Sequence, residues 1–315
     1  MIAAIVNNPL DNELFAPTIV RVAVVLVAGL LVVVLVERKR FSELRRRPLF
    51  QKVFSWSVMA PTFLAAIFFG GVVGLLVIGY MIVQGLAEYS RLVGVLRRYA
   101  WLLVVAGILT IIGAGVLPQY FLFAPLLFFV VVTLTPVITG EVEGAHYQVT
   151  STLFGYLYIA FSLSYLVYIR VVEDTGVAIL LLVGVSVALS DVLAFTVGSL
   201  VRGPKLAPKV SPNKTWSGAA GNVVGAFTGW AMMWFVIPPE WSVTTRILVP
   251  LVTAAAAVYG DLVQSFVKRD FAVKDAGDLL PGFGGLLDRI DSLLVGLPIT
   301  YYAILVSQHF TVAPA

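Results

Sequence analysis

The chain has 315 residues, 60% of them hydrophobic and 12% charged, with a formal net charge of +4, two histidines and no cysteine. Soluble domains carry about 25% charged residues, so this composition excludes a soluble protein and describes an integral membrane one. Without cysteine there is no disulfide framework, zinc–thiolate site or thiol nucleophile, and the redox compartment is left open.

In chain order, Asp11 and Glu13 precede any basic residue, then an apolar run ends at Val36. A secretory signal has its positive charge first, so residues 16–36 are expected to be a retained helix with its N-terminus outside. Residues 37–52 hold seven Lys or Arg against two Glu, which the positive-inside rule places in the cytoplasm. Residues 53–89 are apolar almost throughout. As one helix they would span about 55 Å, against a hydrocarbon core of about 30 Å, so the chain must turn, and Gly70-Gly71 is the place. Helices at 53–69 and 72–90 result, and Arg91, Arg97 and Arg98 return to the cytoplasm.

Further spans are expected at 100–117, 119–138, 150–172 and 176–200, with Pro118 and Pro136 marking breaks. The loop 201–216 carries Arg202, Lys205, Lys209 and Lys214, and no acid occurs between Val192 and Pro239. Spans at 217–238 and 243–263, a polar segment 264–292 and a last span at 294–313 complete an all-α polytopic fold of ten helices. Its three regions are 1–52, 53–175 and 176–315, the last carrying both polar segments on one membrane face. The basic residues sit beside apolar runs and form no aromatic-interleaved platform, so nucleic acid is not an expected partner.

The densest mixed-charge stretch is residues 261–292, DLVQSFVKRDFAVKDAGDLLPGFGGLLDRIDS. Ser265, Lys268, Arg269, Lys274, Asp275, Pro281, Gly284, Gly285, Asp288, Arg289 and Asp291 within it closely resemble the signature of the phosphatidate cytidylyltransferases. A second stretch, Asp191 followed by Lys205-Leu-Ala-Pro-Lys209-Val-Ser211-Pro-Asn-Lys214-Thr215-Trp216 and a helix bearing Gly218, Gly221 and Gly225, resembles that family's other well-marked segment. The likeness covers roughly the last 130 residues in motif and the first 180 in hydrophobic layout. Two positions depart from it: Phe283 stands where histidine is usual and Gln264 where glutamate is common. They motivate a second reading, in which another lipid or polyprenyl phosphate is the acceptor.

The resemblance implies CTP and phosphatidate as substrates, CDP-diacylglycerol and pyrophosphate as products, magnesium as cofactor with a second cation left open, and a homodimer; the membrane is the cell inner membrane if the source is bacterial. The chemistry joins two anions, so the site must offer oxygen ligands for magnesium, cations for the triphosphate and backbone that approaches phosphate closely. Asp288 and Asp291 are three apart and share a face if their segment is helical. Asp261 ends an apolar span, where an unpartnered carboxylate is costly. These three are the expected metal ligands. His146 and His309 stand in no ligand-like spacing, so a metal must be held by oxygen, which suits magnesium better than zinc.

Lys205, Lys214, Lys268, Arg269 and Lys274 are the expected phosphate neutralisers, and Arg289 joins the substrate-binding residues on the motif. Gly284 and Gly285 offer backbone N–H groups at a helix N-terminus. Ser211 and Thr215 either bind phosphate or cap the helix starting near Trp216. Asp191 is an intramembrane carboxylate and a site residue on the motif, and Ser265 and Asp275 join the site on the motif alone. Asp191 and Asp261 also fit an ion-coupled transporter, the rival from another class, which predicts paired interrupted helices in two related halves. The DGxxAR opening of the CDP-alcohol phosphotransferases is absent.

Overall fold

The computed structural model describes residues 8–37, 48–273, 275–277 and 284–312. Among them are ten helices: α1 (Phe15–Glu37), α2 (Pro48–Phe69), α3 (Gly71–Val93), α4 (Arg97–Val116), α5 (Ala124–Thr139), α6 (Ala145–Val172), α7 (Gly176–Val201), α8 (Trp216–Met232), α9 (Val243–Asp270) and α10 (Leu287–Val312). The all-α polytopic expectation holds. Eight stretches are long and apolar enough to cross a membrane, one of them α5 together with the 3-10 turn Pro118–Phe123 before it. The other two helices are shorter in that respect: the apolar part of α2 is Val53–Phe69, and α8 has 17 residues.

The break between α2 and α3 falls at Gly70, which has φ 52° and ψ −149°, followed by Gly71 at φ 44°. The first of these conformations is essentially closed to residues with a Cβ, which is why glycine marks the turn that chain length demands. Gly70→Ala is expected to cost about 1–3 kcal/mol and to lower the thermal midpoint in detergent.

Several boundaries differ from the hydropathy reading: α2 starts at Pro48 instead of 53, α6 at Ala145 instead of 150, and α8 ends at Met232 instead of 238. α9 continues to Asp270 instead of stopping at 263, and α10 starts at Leu287 instead of 294. Hydropathy ends a span at the first charges, but a helix propagates as long as its backbone bonds and caps are satisfied. Lys268 and Arg269 suit the negative end of α9, and Asp288 the positive end of α10. The segment expected to be a polar loop over 264–292 therefore begins and ends in helix, at 264–270 and 287–292. The basic loop 201–216 also gains structure, an antiparallel hairpin of β1 (Lys205–Ala207) and β2 (Ser211–Thr215) with Lys205 opposite Thr215 and Ala207 opposite Ser211.

α6 and α7 form the middle of the bundle, where Ile159, Leu163, Ile169, Ile179, Leu180 and Leu181 are fully buried. α1 and α5 turn apolar residues such as Val20, Leu31, Leu126 and Val137 outward, as helices bathed in lipid do. A π-helical stretch, Tyr156–Phe161, interrupts α6 and faces Tyr158 toward α9, where its hydroxyl donates to the Gly260 carbonyl at 3.2 Å. α7 and α8 pair closely along Gly218, Gly221, Gly225 and Gly229: a Cβ at Gly225 would lie 2.4 Å from the Leu189 carbonyl oxygen. Small residues at this spacing are how helices pack when no hydrophobic effect drives them together in lipid.

Side-chain contacts collect several connections at one end of the bundle. Tyr147 donates to the Val93 carbonyl at 2.6 Å and the Gln148 side chain accepts from Leu96 N–H at 2.8 Å. Arg98 pairs with Glu141, a bond that holds the Glu141 carboxyl below its usual range. The loops after α3 and α5 thus meet, as expected of two loops on one face. At the other end Tyr301 donates to Glu173 at 2.6 Å, and Tyr165, Tyr168, Tyr301 and Tyr302 pack edge to face.

Candidate active site

A cavity of about 560 Å³ opens between α7, β2, α8, α9 and α10, and its wall includes Asp191, Lys214, Asp261, Lys268, Asp288, Arg289 and Asp291. The helix geometry explains the gathering. Gly260 lets α9 touch the α10 backbone, since a Cβ there would lie 2.5 Å from the Asp291 carbonyl oxygen. The residue after each contact, Asp261 on one helix and Ser292 on the other, then lines the cavity.

The charges are paired across elements. Lys214, from β2, meets Asp261 of α9 at 2.7 Å. Lys268, near the end of α9, meets Asp288 at the start of α10 at 2.6 Å, with side chains only 16% and 10% exposed. The second oxygen of Asp288 accepts from Ala276 N–H at 2.9 Å and Gly285 N–H at 3.3 Å, so one carboxylate ties down a lysine and the intervening segment. Asp291 is buried, accepts from Ser292 N–H at 2.8 Å and feels the charges of Asp261 and Asp191. Asp191, on α7, accepts from the Ser292 hydroxyl at 3.1 Å.

The expected ligands Asp261, Asp288 and Asp291 do share this cavity, but no three acidic or histidine side chains among the described residues stand close enough together to hold a metal as they are. Asp261 and Asp288 are each turned to a lysine instead. The donor chemistry still fits magnesium: four carboxylates and the Ser292 hydroxyl face one space, and such all-oxygen sets suit hard cations.

Other expected residues scatter. Ser211, Lys214, Thr215, Lys268 and Arg289 line the cavity. The Thr215 hydroxyl accepts from Gly218 N–H at 3.1 Å and so caps α8, as one of its two readings expected. Ser265 donates to Asp261 at 3.4 Å from one turn along α9. Lys205, Arg269 and Asp275 are exposed and do not line the cavity. Gly284 and Gly285 are likewise outside its wall, and the N–H groups beside them, of Leu286 and Leu287, already bond Glu88 at 2.9 and 3.0 Å. The helix end expected to cradle phosphate is thus filled by a carboxylate of the protein. Lys274 and Phe283 lie outside the described residues.

Three site residues were missed by sequence reading. Asn222 lines the cavity from α8, 2% exposed, and its amide oxygen has no hydrogen-bond partner among the described residues. A polar side chain two turns beyond Thr215 in a helix of small residues was the available signal. Ser292 adjoins Asp291, and Glu88 is a fully buried acid in an apolar helix. A second cavity of about 470 Å³, lined almost wholly by apolar residues of α1, α2, α3, α7 and α10, shares Trp56, Met59, Val192 and Arg289 with the first.

Fold and site define a polytopic membrane protein that sets lysines and aspartates in one cavity against an apolar cavity, with Arg289 on both walls. That is equipment for a polyanion and a lipid at once. The chain belongs to the Cytidylyltransferase family, whose model matches residues 50–307. It is 35% identical over 215 residues to the phosphatidate cytidylyltransferase of Brucella melitensis biotype 1, covering 68% of this chain and 73% of that one. It is similar to the uncharacterized protein YnbB of Escherichia coli (strain K12), at 32% identity over 62% of this chain and 66% of that one. The phosphatidate cytidylyltransferase of Bacillus subtilis (strain 168) matches at 35% identity over 46% of this chain and 54% of that one. Family membership decides for a nucleotidyltransferase over a transporter.

Proposed function

We propose that the protein transfers the cytidylyl group of CTP to phosphatidate, giving CDP-diacylglycerol and pyrophosphate. The observation that carries this is the junction of the two cavities at Arg289: a diacyl lipid has an apolar body for one and a phosphate for the other. An oxygen of the lipid phosphate attacks the α-phosphorus of CTP, and the bond to the β-phosphate oxygen breaks as pyrophosphate leaves. The lipid phosphate is already anionic near neutral pH, so no protein base is required. Positioning and charge carry the rate.

Lys214 and Lys268 neutralise the triphosphate, and a cation held by Asp261 and Asp288 would supply the charge that those aspartates now give the two lysines. Asp261, Asp288 and Asp291 would hold magnesium, with Asp191 and Ser292 beside them for a second cation. Magnesium supplies charge stabilisation of the phosphoryl oxygens when bound. Arg289, at the boundary, orients the lipid phosphate. The cavity end of the bundle faces the cytoplasm by the positive-inside rule, because the basic hairpin that carries Lys205 and Lys214 stands at that end and Arg91, Arg97 and Arg98 surround the turn after α3. The N-terminus is then outside, and in a bacterium the membrane is the inner one. A homodimer is the assembly that the family resemblance implies.

The test is purified protein in detergent with labelled CTP, magnesium and either phosphatidate or a polyprenyl phosphate. Labelled CDP-diacylglycerol and pyrophosphate, abolished by a chelator, are the expected products. Label entering only the polyprenyl lipid would replace the acceptor. Folded protein that neither turns over nor binds CTP would end the proposal.

A further inference from the structure

Outside the cavity wall, one buried charge is tied to it by geometry. Glu88, on α3, is 0% exposed. One carboxylate oxygen accepts from Leu286 N–H at 2.9 Å and from the Gln84 side-chain amide at 2.9 Å, and the other accepts from Leu287 N–H at 3.0 Å. The first N–H groups of a helix have no partner within it. Here the N–H of Leu287, the first residue of α10, and that of Leu286 just before it are satisfied by a side chain 199 and 198 positions earlier in the chain.

The fit involves two glycines. A Cβ at Gly285 would lie 2.5 Å from a Glu88 oxygen, and one at Gly277 would lie 2.8 Å from its carboxyl carbon. Glu88, Gly277 and Gly285 are therefore parts of one lock, closed on the residue before Asp288. Each residue turns an α-helix by about 100°, so a start displaced by one residue would swing Asp288 and Asp291 off the cavity wall. The carboxylate also occupies the positive end of α10, which leaves a triphosphate to the lysines.

We propose that Glu88 is a positioning residue for the reaction: from α3 it sets the start and the rotational phase of α10, and so places Asp288 and Asp291 toward the cation. This rests on the role assigned above to those two aspartates. Glutamine at 88 retains the size but offers one acceptor oxygen in place of two, and sets an N–H₂ group against a backbone N–H. A shorter aspartate keeps the charge and recovers part of the function.

The test compares the full chain with Glu88→Gln and Glu88→Asp in lipid nanodiscs. Expected for Glu88→Gln is a fall in kcat of about tenfold or more, with a several-fold rise in the magnesium concentration giving half-maximal rate and a phosphatidate KM within about twofold of the parent. Mn²⁺ binding followed by electron paramagnetic resonance should weaken by the same factor, and Glu88→Asp should lie between. Should Glu88→Gln fail to fold, Gly285→Ala takes its place, since the added methyl displaces the Glu88 carboxylate and predicts the same cation signature. Unchanged magnesium dependence and Mn²⁺ binding in the folded variants would overturn the proposal, even if stability fell. A parent protein making no CDP-lipid would instead count against the proposed reaction, and the Mn²⁺ comparison would still decide the role of Glu88.

Discussion

Asp288→Asn is expected to lower turnover by about 10²–10³-fold, the loss seen when one charge-stabilising group is removed from a preorganised site. Asp288 serves three donors, the Lys268 ammonium and the N–H groups of Ala276 and Gly285. An amide has one acceptor oxygen, so at least one donor would face an N–H₂ group. The shielded Lys268 would also lose its counter-charge, and breaking a buried pair by removing one partner costs about 3–5 kcal/mol. The variant should thus be both slow and less stable. Adding Lys268→Met separates the two effects: the double variant should regain thermal stability and remain inactive. Turnover by Asp288→Asn within about threefold of the parent would remove Asp288 from the machinery.

Gly225→Leu is expected to destabilise the fold by about 3 kcal/mol or more, at the upper end for overpacking. The site of its Cβ lies 2.4 Å from the Leu189 carbonyl oxygen and 2.6 Å from the Ser190 Cα. Both are backbone atoms, so no rotamer change relieves the contact and α7 must move from α8. That movement would carry Asp191 away from Ser292, and activity should fall with stability. Tryptophan fluorescence during heating in detergent checks it, with Val224→Leu as comparator. Val224 is 56% exposed, and its substitution should leave the midpoint within a few degrees. Equal midpoints for the two variants would show that the glycine stripe does not set the helix separation.

The legible part of the fold was the part governed by bilayer thickness. Apolar runs too long for one span had to fold back, and the Gly70-Gly71 pair near the middle of residues 53–89 was the obvious place for the backbone to reverse. The break at Pro118 after α4 was readable in the same way, whereas Pro136, expected to mark another, lies inside α5, which ends instead at the left-handed Gly140. Helix ends were less so. Ser265, Lys268 and Arg269 looked like loop residues because hydropathy responds to transfer into lipid, whereas the helix end depends on capping and on what the polar turn packs against.

The site divided along the same line. Asp191 and Asp261 stood out because a carboxylate in an apolar span is costly, whereas Lys214, Lys268, Asp288 and Asp291 were singled out chiefly by their place in the two motifs that resemble the family signature. Which charge meets which was not readable. Lys214 to Asp261 spans two elements, and Lys268 to Asp288 bridges two helix ends that the hydropathy reading did not contain. Glu88 was passed over because a single acid in a long apolar run carries no local sign of its partner, which lies almost two hundred residues away.

By itself the sequence determined the membrane class, the ten helices, the Gly70 reversal and the identity of the charged residues, since composition, span length and local backbone preference act over short stretches of chain. Only the tertiary structure decided the lysine–aspartate pairing, the junction of polar and apolar cavities at Arg289, and the filling of the α10 N-terminus by Glu88 instead of leaving it open to phosphate. Those depend on how helices distant in sequence approach and rotate against one another, and the α7–α8 glycine contacts and the α9–α10 contact at Gly260 set that approach in three dimensions.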